Sequence, residues 1–235
     1  MKICCLSDTH GYLPRIPECD ILLLAGDYSP IDYGRSYYTQ WYLNDFILWL
    51  QHCKEKCKYI VGIAGNHDFI FDENSFKYGI PSELYAVKHT INENWHYLEN
   101  SSINIDGINI CGIPHQRRFY DWAFNLDESE LDKIFEKIPK NTDIILTHGP
   151  PLNILDYSPF GNENIGSATL RQIALDIQAK MVVFGHNHQT GIQIVENTTF
   201  VNAAYVDNQY NPYGLPIICG ELSEKGFVCK NRQYI

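Results

Sequence analysis

The segment VVFGHNHQTG places two imidazoles, His186 and His188, one residue apart, just after an apolar run and a glycine. Four other apolar runs end in a similar way. KICCL leads into Asp8 and His10, DILLLA into Gly26 and Asp27, KYIVGIA into Gly65, Asn66 and His67, and DIILT into His148. Carboxylate oxygen, amide oxygen and imidazole nitrogen together suit a borderline or hard divalent cation such as Mn, Fe, Zn or Co. Leaving His67 aside, seven such groups stand at the strand ends: Asp8, His10, Asp27, Asn66, His148, His186 and His188. That is too many for one ion that must keep positions open for a substrate. It suits two ions bridged by one carboxylate. Such a pair can clamp a phosphate, lower the pKa of a bridging water and stabilise a leaving oxygen. Residues i and i+2 of an extended segment point to the same side, so His186 and His188 are each expected to reach one ion. The glycines of GD, GNHD and GHNH are expected to let the backbone turn sharply at the strand ends.

These side chains meet only if the strands bring them to one edge. The five runs, at residues 2–6, 20–25, 58–64, 143–147 and 180–184, are nearly continuous in apolar residues, as strands buried on both faces are. Helical patterns fall between them. Residues 35–57 carry an aromatic and aliphatic stripe, residues 127–137 begin acidic and end in lysine, and residues 167–178 begin at a serine suited to capping. SSINIDGINICGI alternates around Asp106-Gly107, a hairpin signal. TTFVNAAY, GLPIICGEL and GFVCK read as further strand. The expected architecture is α/β, with two sheets packed together and helices outside. In open α/β sheets ligands bind beyond the carboxyl ends of the strands.

The chain has 235 residues, 45% of them apolar, which fits one domain with a well-buried core. Lysine plus arginine is 18 and aspartate plus glutamate 28, a net charge of −10. That field attracts neither long nucleic acid nor an anionic membrane, so positive charge for a phosphate must be local, as a bound metal would supply. The first apolar run is too short for a secretory signal and no stretch is long enough to span a membrane. A cytoplasmic setting is therefore expected, with the eight cysteines reduced and packed. Cys4 and Cys5 are expected on opposite faces of a strand, and Cys53 and Cys57 on one face of a helix.

SDTH, AGD, AGNHD, THGPP and GHNH, in this order from Ser7 to His188, resemble the five signature blocks of the calcineurin-like metallophosphoesterases. The resemblance implies an αββα sandwich of two mixed sheets flanked by helices, residues 1–235 forming the one domain, with a dimetal site at one edge. It implies one ion held by Asp8, His10, Asp27 and His188 and a second by Asp27, Asn66, His148 and His186, with Asp27 bridging. His67 would contact the phosphate and protonate the leaving oxygen. Asp68 would hydrogen-bond His67 and fix its orientation, and a metal-bridging hydroxide would attack phosphorus in line. AGNHDFIFD, THGPP, CGIPHQRRFYDWAFNLD and NPYGLPIICGEL further resemble the small metallophosphoesterase-domain subgroup of phosphodiesterases, some acting on cyclic nucleotides. GDYSPIDYG and Phe69 depart from the arginine-bearing motifs of protein serine/threonine phosphatases.

A small phosphoester is therefore the expected substrate. A phosphodiesterase on nucleotide-type esters comes first, a phosphomonoesterase or single-strand nuclease second, and a non-catalytic scaffold of the same fold third. Outside the blocks, His115, Arg117 and Arg118 are candidates for the substrate pocket, because a histidine after CGIP at a strand end stands beside two arginines. Tyr28, Tyr120 and Trp122 are candidates to stack on a base. His52, His89 and His96 lie away from the strand ends and read as structural.

Overall fold

A computed structural model of the chain describes residues 1–31, 38–72, 90–215 and 217–231. The strands in chain order are β1 (Lys2–Leu6), β2 (Cys19–Leu24), β3 (Cys57–Gly62), β4 (His96–Tyr97), β5 (Ser101–Ile105), β6 (Ile108–Ile113), β7 (Gln116–Arg117) and β8 (Asn125–Leu126). They continue with β9 (Ile144–Thr147), β10 (Tyr157–Ser158), β11 (Glu163–Asn164), β12 (Met181–Phe184), β13 (Gly191–Val195), β14 (Thr198–Asn202), β15 (Ile218–Ser223) and β16 (Gly226–Cys229). One six-stranded sheet runs β16-β15-β1-β2-β3-β4 and the other β13-β14-β12-β9-β6-β5. Both are mixed. β1, β2 and β3 are parallel, with β15 antiparallel to β1. β6, β9, β12 and β14 are parallel, flanked by antiparallel β5 and β13.

The period of two along each strand sorts the side chains into three apolar layers. Ile3, Cys5, Ile21 and Leu23 of the first sheet meet Ile144, Leu146, Met181 and Val183 of the second, which makes the layer between the sheets. Cys4, Leu6, Leu22 and Leu24 point outward, onto a helical segment. That segment is α1 (Tyr38–Trp41), a π turn over Tyr42–Phe46 and α2 (Ile47–Lys54), which bury Tyr42, Phe46 and Leu50. On the far side of the second sheet, Ile145, Val182 and Phe184 pack on α3 (Glu128–Phe135) and α4 (Ala168–Asp176). Helices therefore flank two mixed sheets, as the sequence indicates. The strands after residue 190 complete both sheets.

Local signals set the element ends. Asp127 and Glu130 form a capping box at α3, and the Ser167 hydroxyl accepts from Leu170 N at 3.1 Å at α4. Asp106 and Gly107 both have positive φ, 47° and 88°, so β5 and β6 join through the two-residue turn that this pair favours. Two expectations are corrected. The helix placed at residues 35–57 ends at Lys54, and Cys57 opens β3 opposite Cys19; residues 35–37 lie outside the described residues. The register of β2 and β3 outweighs the helical stripe, although the Cys57 thiol still donates to Cys53 O at 2.9 Å. The eight cysteines are not all free. Cys4 and Cys219 face each other across the antiparallel β1–β15 pair, 4.2 Å apart at Cα, and are joined as a disulfide. Cys5 lies on the opposite face of β1, among the residues between the sheets. No helix among the described residues is long and apolar enough to cross a membrane.

The inter-sheet layer sets the spacing of the strand ends. Ile144 is fully buried there, and Ile144→Ala is expected to lower stability by about 2–5 kcal/mol through lost burial and a residual cavity. Urea unfolding measures it, and a loss below about 1 kcal/mol would contradict a tightly packed inter-sheet layer.

Candidate metal centre and active site

Parallel β1, β2 and β3 in one sheet and parallel β9 and β12 in the other deliver their carboxyl ends to one edge. The two sheets are tied there, because Ser7 N donates to Ala203 O and Tyr205 N to Ser7 O, both at 2.9 Å. The residues that follow the five strands converge at this edge. His10 Nε2 lies 3.1 Å from His188 Nε2 and 3.8 Å from Asp27 Oδ2, and His188 Nε2 lies 3.4 Å from Asp8 Oδ1. On the other side, Asn66 Oδ1 is 2.9 Å from His148 Nε2 and 2.8 Å from His186 Nδ1, and His148 Nε2 is 3.3 Å from Asp27 Oδ2. One oxygen of Asp27 thus stands between two groups of donors. All seven strand-end residues are brought together, and sets such as Asp8, His10 and His188, or Asp8, Asp27 and His148, hold their ligand atoms within 4.8 Å of one another.

The local backbone is unusual. Asp8, His10, Asp27, His186 and His188 all have φ between 43° and 73°, a region that side chains with a Cβ seldom occupy and that clusters at functional sites. This corrects the expectation of an extended segment at His186 and His188. The two rings do reach different groups, but through two left-handed residues rather than through the alternation of a strand. The glycines also act differently from the sequence reading at two positions. A Cβ on Gly185 would overlap the Asp8 carboxylate, and one on Gly65 would overlap the Asp27 carboxylate and stand 2.6 Å from His148 Cε1. Glycine is required there for room.

Asp8 and Asp27 are buried, and among the described residues only histidines pair with them as basic side chains. Main-chain donors supply the rest: His186 N reaches Asp8 Oδ1 at 3.0 Å and Oδ2 at 3.1 Å, and His67 N reaches Asp27 Oδ1 at 2.8 Å. Burial alone would raise both pKa values, yet the surrounding histidines hold Asp27 well below the ordinary value and His188 lowers Asp8. Burial works against charge on His148 as well, but Asp27 raises its pKa to about 9. Burial pushes His10 and His186 down to about 3. The donor set fits a divalent cation on a further ground. His148 Nδ1 donates to Ala25 O at 2.8 Å and His188 Nδ1 to Asp207 O at 2.9 Å. Each carbonyl fixes its ring so that Nε2 faces the cluster, the orienting arrangement typical of metal-bound histidine.

His67 lies beside these groups, its ring 4.7 Å from His10 and 4.2 Å from Trp122. Among the described residues no hydrogen bond joins Asp68 to that ring, contrary to the expected one. Its buried carboxylate accepts from the main-chain N–H of Asp27 (2.7 Å), Tyr28 (2.9 Å), Ser29 (3.1 Å) and Gly65 (2.8 Å) and from the hydroxyls of Ser29 and Tyr42. The 3₁₀ turn at Phe69–Phe71 follows at once, and the carboxylate points back under the Asp27 loop. Asp68 therefore shapes the loop that presents Asp27.

A cavity of about 620 Å³ opens from the cluster. His115, Arg117 and Arg118 all line it. The His115 ring is within 3.2 Å of Asn100 Oδ1, and burial lowers its pKa to about 4. Arg117 and Arg118 are both exposed, and Arg118 Nε is bonded to Asp127 at 2.6 Å. Trp122 and Tyr120 also line it; Tyr28 does not, being fully buried with its hydroxyl on Ile63 O at 2.7 Å. His52 and His96 are exposed and away from the site, and His89 lies outside the described residues. Sequence reasoning missed Phe119, whose ring lies 5.1 Å from His186, and Tyr210, whose ring lies 4.8 Å from His10. With sixteen tyrosines in the chain, nothing in the sequence marks Tyr210 beyond the turn-forming Asp and Asn residues around it.

Solved structures share the fold. TT1561 of Thermus thermophilus superposes with a TM-score of 0.62 over 98% of each chain at 11% identity, and a dimetal phosphatase from Danio rerio with 0.57 over 99% of this chain and 96% of that one at 12% identity. Fold and site together define a two-sheet α/β scaffold with a candidate Asp/Asn/His metal-binding edge. The profile described as Calcineurin-like phosphoesterase matches residues 1–190, and the chain belongs to that family. Metallophosphoesterase domain-containing protein 1 of Homo sapiens is 32% identical across 92% of this chain and 70% of its own length. UPF0046 protein K07C11.7 of Caenorhabditis elegans is 31% identical, across 93% and 74%.

Two substitutions test this arrangement. Gly185→Ala is expected to abolish metal uptake, read by elemental analysis, with the far-UV circular dichroism retained; full uptake would show that the close approach to Asp8 is not needed. Asp68→Ala strands four main-chain donors in the interior and is expected to cost at least about 2 kcal/mol. An unchanged thermal midpoint with full activity would rule out its bracing role.

Proposed function

We propose that the chain is a dinuclear-metal-dependent phosphoesterase, and specifically a phosphodiesterase on small nucleotide-type esters, cyclic nucleotides among them. The observation that carries this reading is the pair of donor groups sharing Asp27 Oδ2. One cation would be held by Asp8, His10, Asp27 and His188, the other by Asp27, Asn66, His148 and His186. Bound there, Mn, Fe, Zn or Co would activate water and neutralise charge on the phosphate. His67 presents its ring to the cavity beside the shared carboxylate, where it binds a phosphoryl oxygen and passes a proton to the leaving oxygen. The Trp122 ring packs against that ring, 4.2 Å away between centroids and tilted by 33°. Arg117, exposed on the cavity wall, meets remaining negative charge on the substrate.

The cavity supports a small substrate with two ester arms. Its volume is in the range of single small-molecule sites, and it continues past the donor cluster to apolar Leu131, Phe135 and Ile165. The net charge of −10 disfavours a long polyanion.

Hydrolysis of bis-p-nitrophenyl phosphate against p-nitrophenyl phosphate, with and without added Mn, tests the reading. Metal-dependent cleavage favouring the diester is expected. Cleavage of the monoester alone would make the protein a phosphomonoesterase with the same centre, and no cleavage with no metal bound would leave a scaffold. His67→Ala is expected to lose roughly 10²- to 10⁴-fold in kcat with metal retained, whereas Asp27→Ala loses metal and activity together. A His67→Ala variant of undiminished kcat would remove His67 from the chemistry.

A further inference from the structure

The turn at residues 207–211 lies against the donor cluster and is built more firmly than a connecting loop requires. Asp207 Oδ1 accepts from Gln209 N and Asn211 N, both at 2.9 Å, and Asp207 N donates to Asn211 O at 2.8 Å. Asp207 O accepts twice, from Tyr210 N at 2.9 Å and from His188 Nδ1 at 2.9 Å. The carbonyl that orients His188 is therefore the one that sets Tyr210. Tyr213 OH donates to His188 O at 2.5 Å from the same segment.

Tyr210 takes φ 61°, in the left-handed region. For a bulky aromatic that conformation costs on the order of 1 kcal/mol or more, and it persists only where the surroundings fix it. What it achieves is the ring position. The Tyr210 ring lies 4.8 Å from His10 and 5.3 Å from His188, nearly perpendicular to both, and 6.4 Å from His67. The residue is half-buried and lines the cavity. Its hydroxyl has no hydrogen-bond partner among the described residues. A phenol hydroxyl ordinarily titrates at about 10, so it is a neutral donor near pH 7.

We propose that Tyr210 is a further substrate-binding residue whose phenol hydroxyl donates to a phosphoryl oxygen of the bound ester. The Asp207 turn fixes that donor relative to His188, so the phosphate is held from outside the metal ligands. This rests on the phosphoesterase reading of the centre, and it identifies a residue that none of the five signature blocks contains. A donor aimed at an anion carries more weight than a neutral pair, and the strained turn is the means of aiming it.

The test compares the Mn-loaded wild-type protein with Tyr210→Phe, which keeps the ring and removes only the hydroxyl. Calorimetric titration with inorganic phosphate reads binding apart from turnover, bis-p-nitrophenyl phosphate reads kcat and KM, and elemental analysis reads metal content. Phosphate affinity and kcat/KM are both expected to fall about ten- to a hundred-fold with metal content unchanged. Unchanged phosphate affinity and unchanged kcat/KM overturn the proposal. A parallel fall in metal content also overturns it, since Tyr210 would then act through His188. Wild-type protein that binds no phosphate overturns it as well. Phosphate binding that depends on Tyr210 in a protein that hydrolyses neither ester supports the proposal, while ending the assignment of hydrolytic function.

Discussion

Two carboxylates, Asp8 and Asp27, are buried where the edges of two sheets meet, and no lysine or arginine among the described residues pairs with them. A buried anion is unfavourable unless it is paired or hydrogen-bonded. Much of the surrounding structure answers that requirement. Main-chain N–H groups of His67 and His186 turn toward the carboxylates, histidines from four strand ends close around them, and glycine at positions 65 and 185 leaves room for the approach. The left-handed residues follow from the same demand, since an ordinary strand end would not aim a donor, a carboxylate and a ring at one point.

The support for Asp27 extends one layer further down. Asp68 gathers four main-chain donors and two hydroxyls, and one of those hydroxyls belongs to Tyr42 in the π turn between α1 and α2. Burial and the neighbouring Asp27 raise the pKa of Asp68 to about 6, while its donors favour the ionised form. The outer aromatic layer of Phe46, Trp49 and Trp95 is thereby linked to the centre through a single carboxylate. A chain of this kind lets helix packing position a ligand at the carboxyl ends of the strands.

Around the centre the chemistry changes from polar to aromatic. Phe119 stands against His186, Trp122 against His67 and Tyr210 against His10 and His188. These rings come from two separate loops, and all three line the cavity that opens from the centre. Low local polarity strengthens every electrostatic contact made inside.

The sequence by itself determined the layered fold and the seven donors. Apolar runs ending in Asp, Asn and His state which residues stand at strand ends, and alternation along the strands states which faces are buried. Asp127 and Ser167 mark helix starts, and Asp106-Gly107 marks a hairpin, because caps and turns depend on nearest neighbours. What it did not determine were relations between segments far apart in the chain. Cys4 and Cys219 pair because β15 returns beside β1 across 215 residues, and the helix expected to reach Cys57 stops because β3 must align with β2. The direction of the Asp68 carboxylate, the burial of Tyr28 and the arrival of Tyr210 over His10 belong to the same class. Each is decided by tertiary hydrogen bonds and packing, to which local spacing carries no signal.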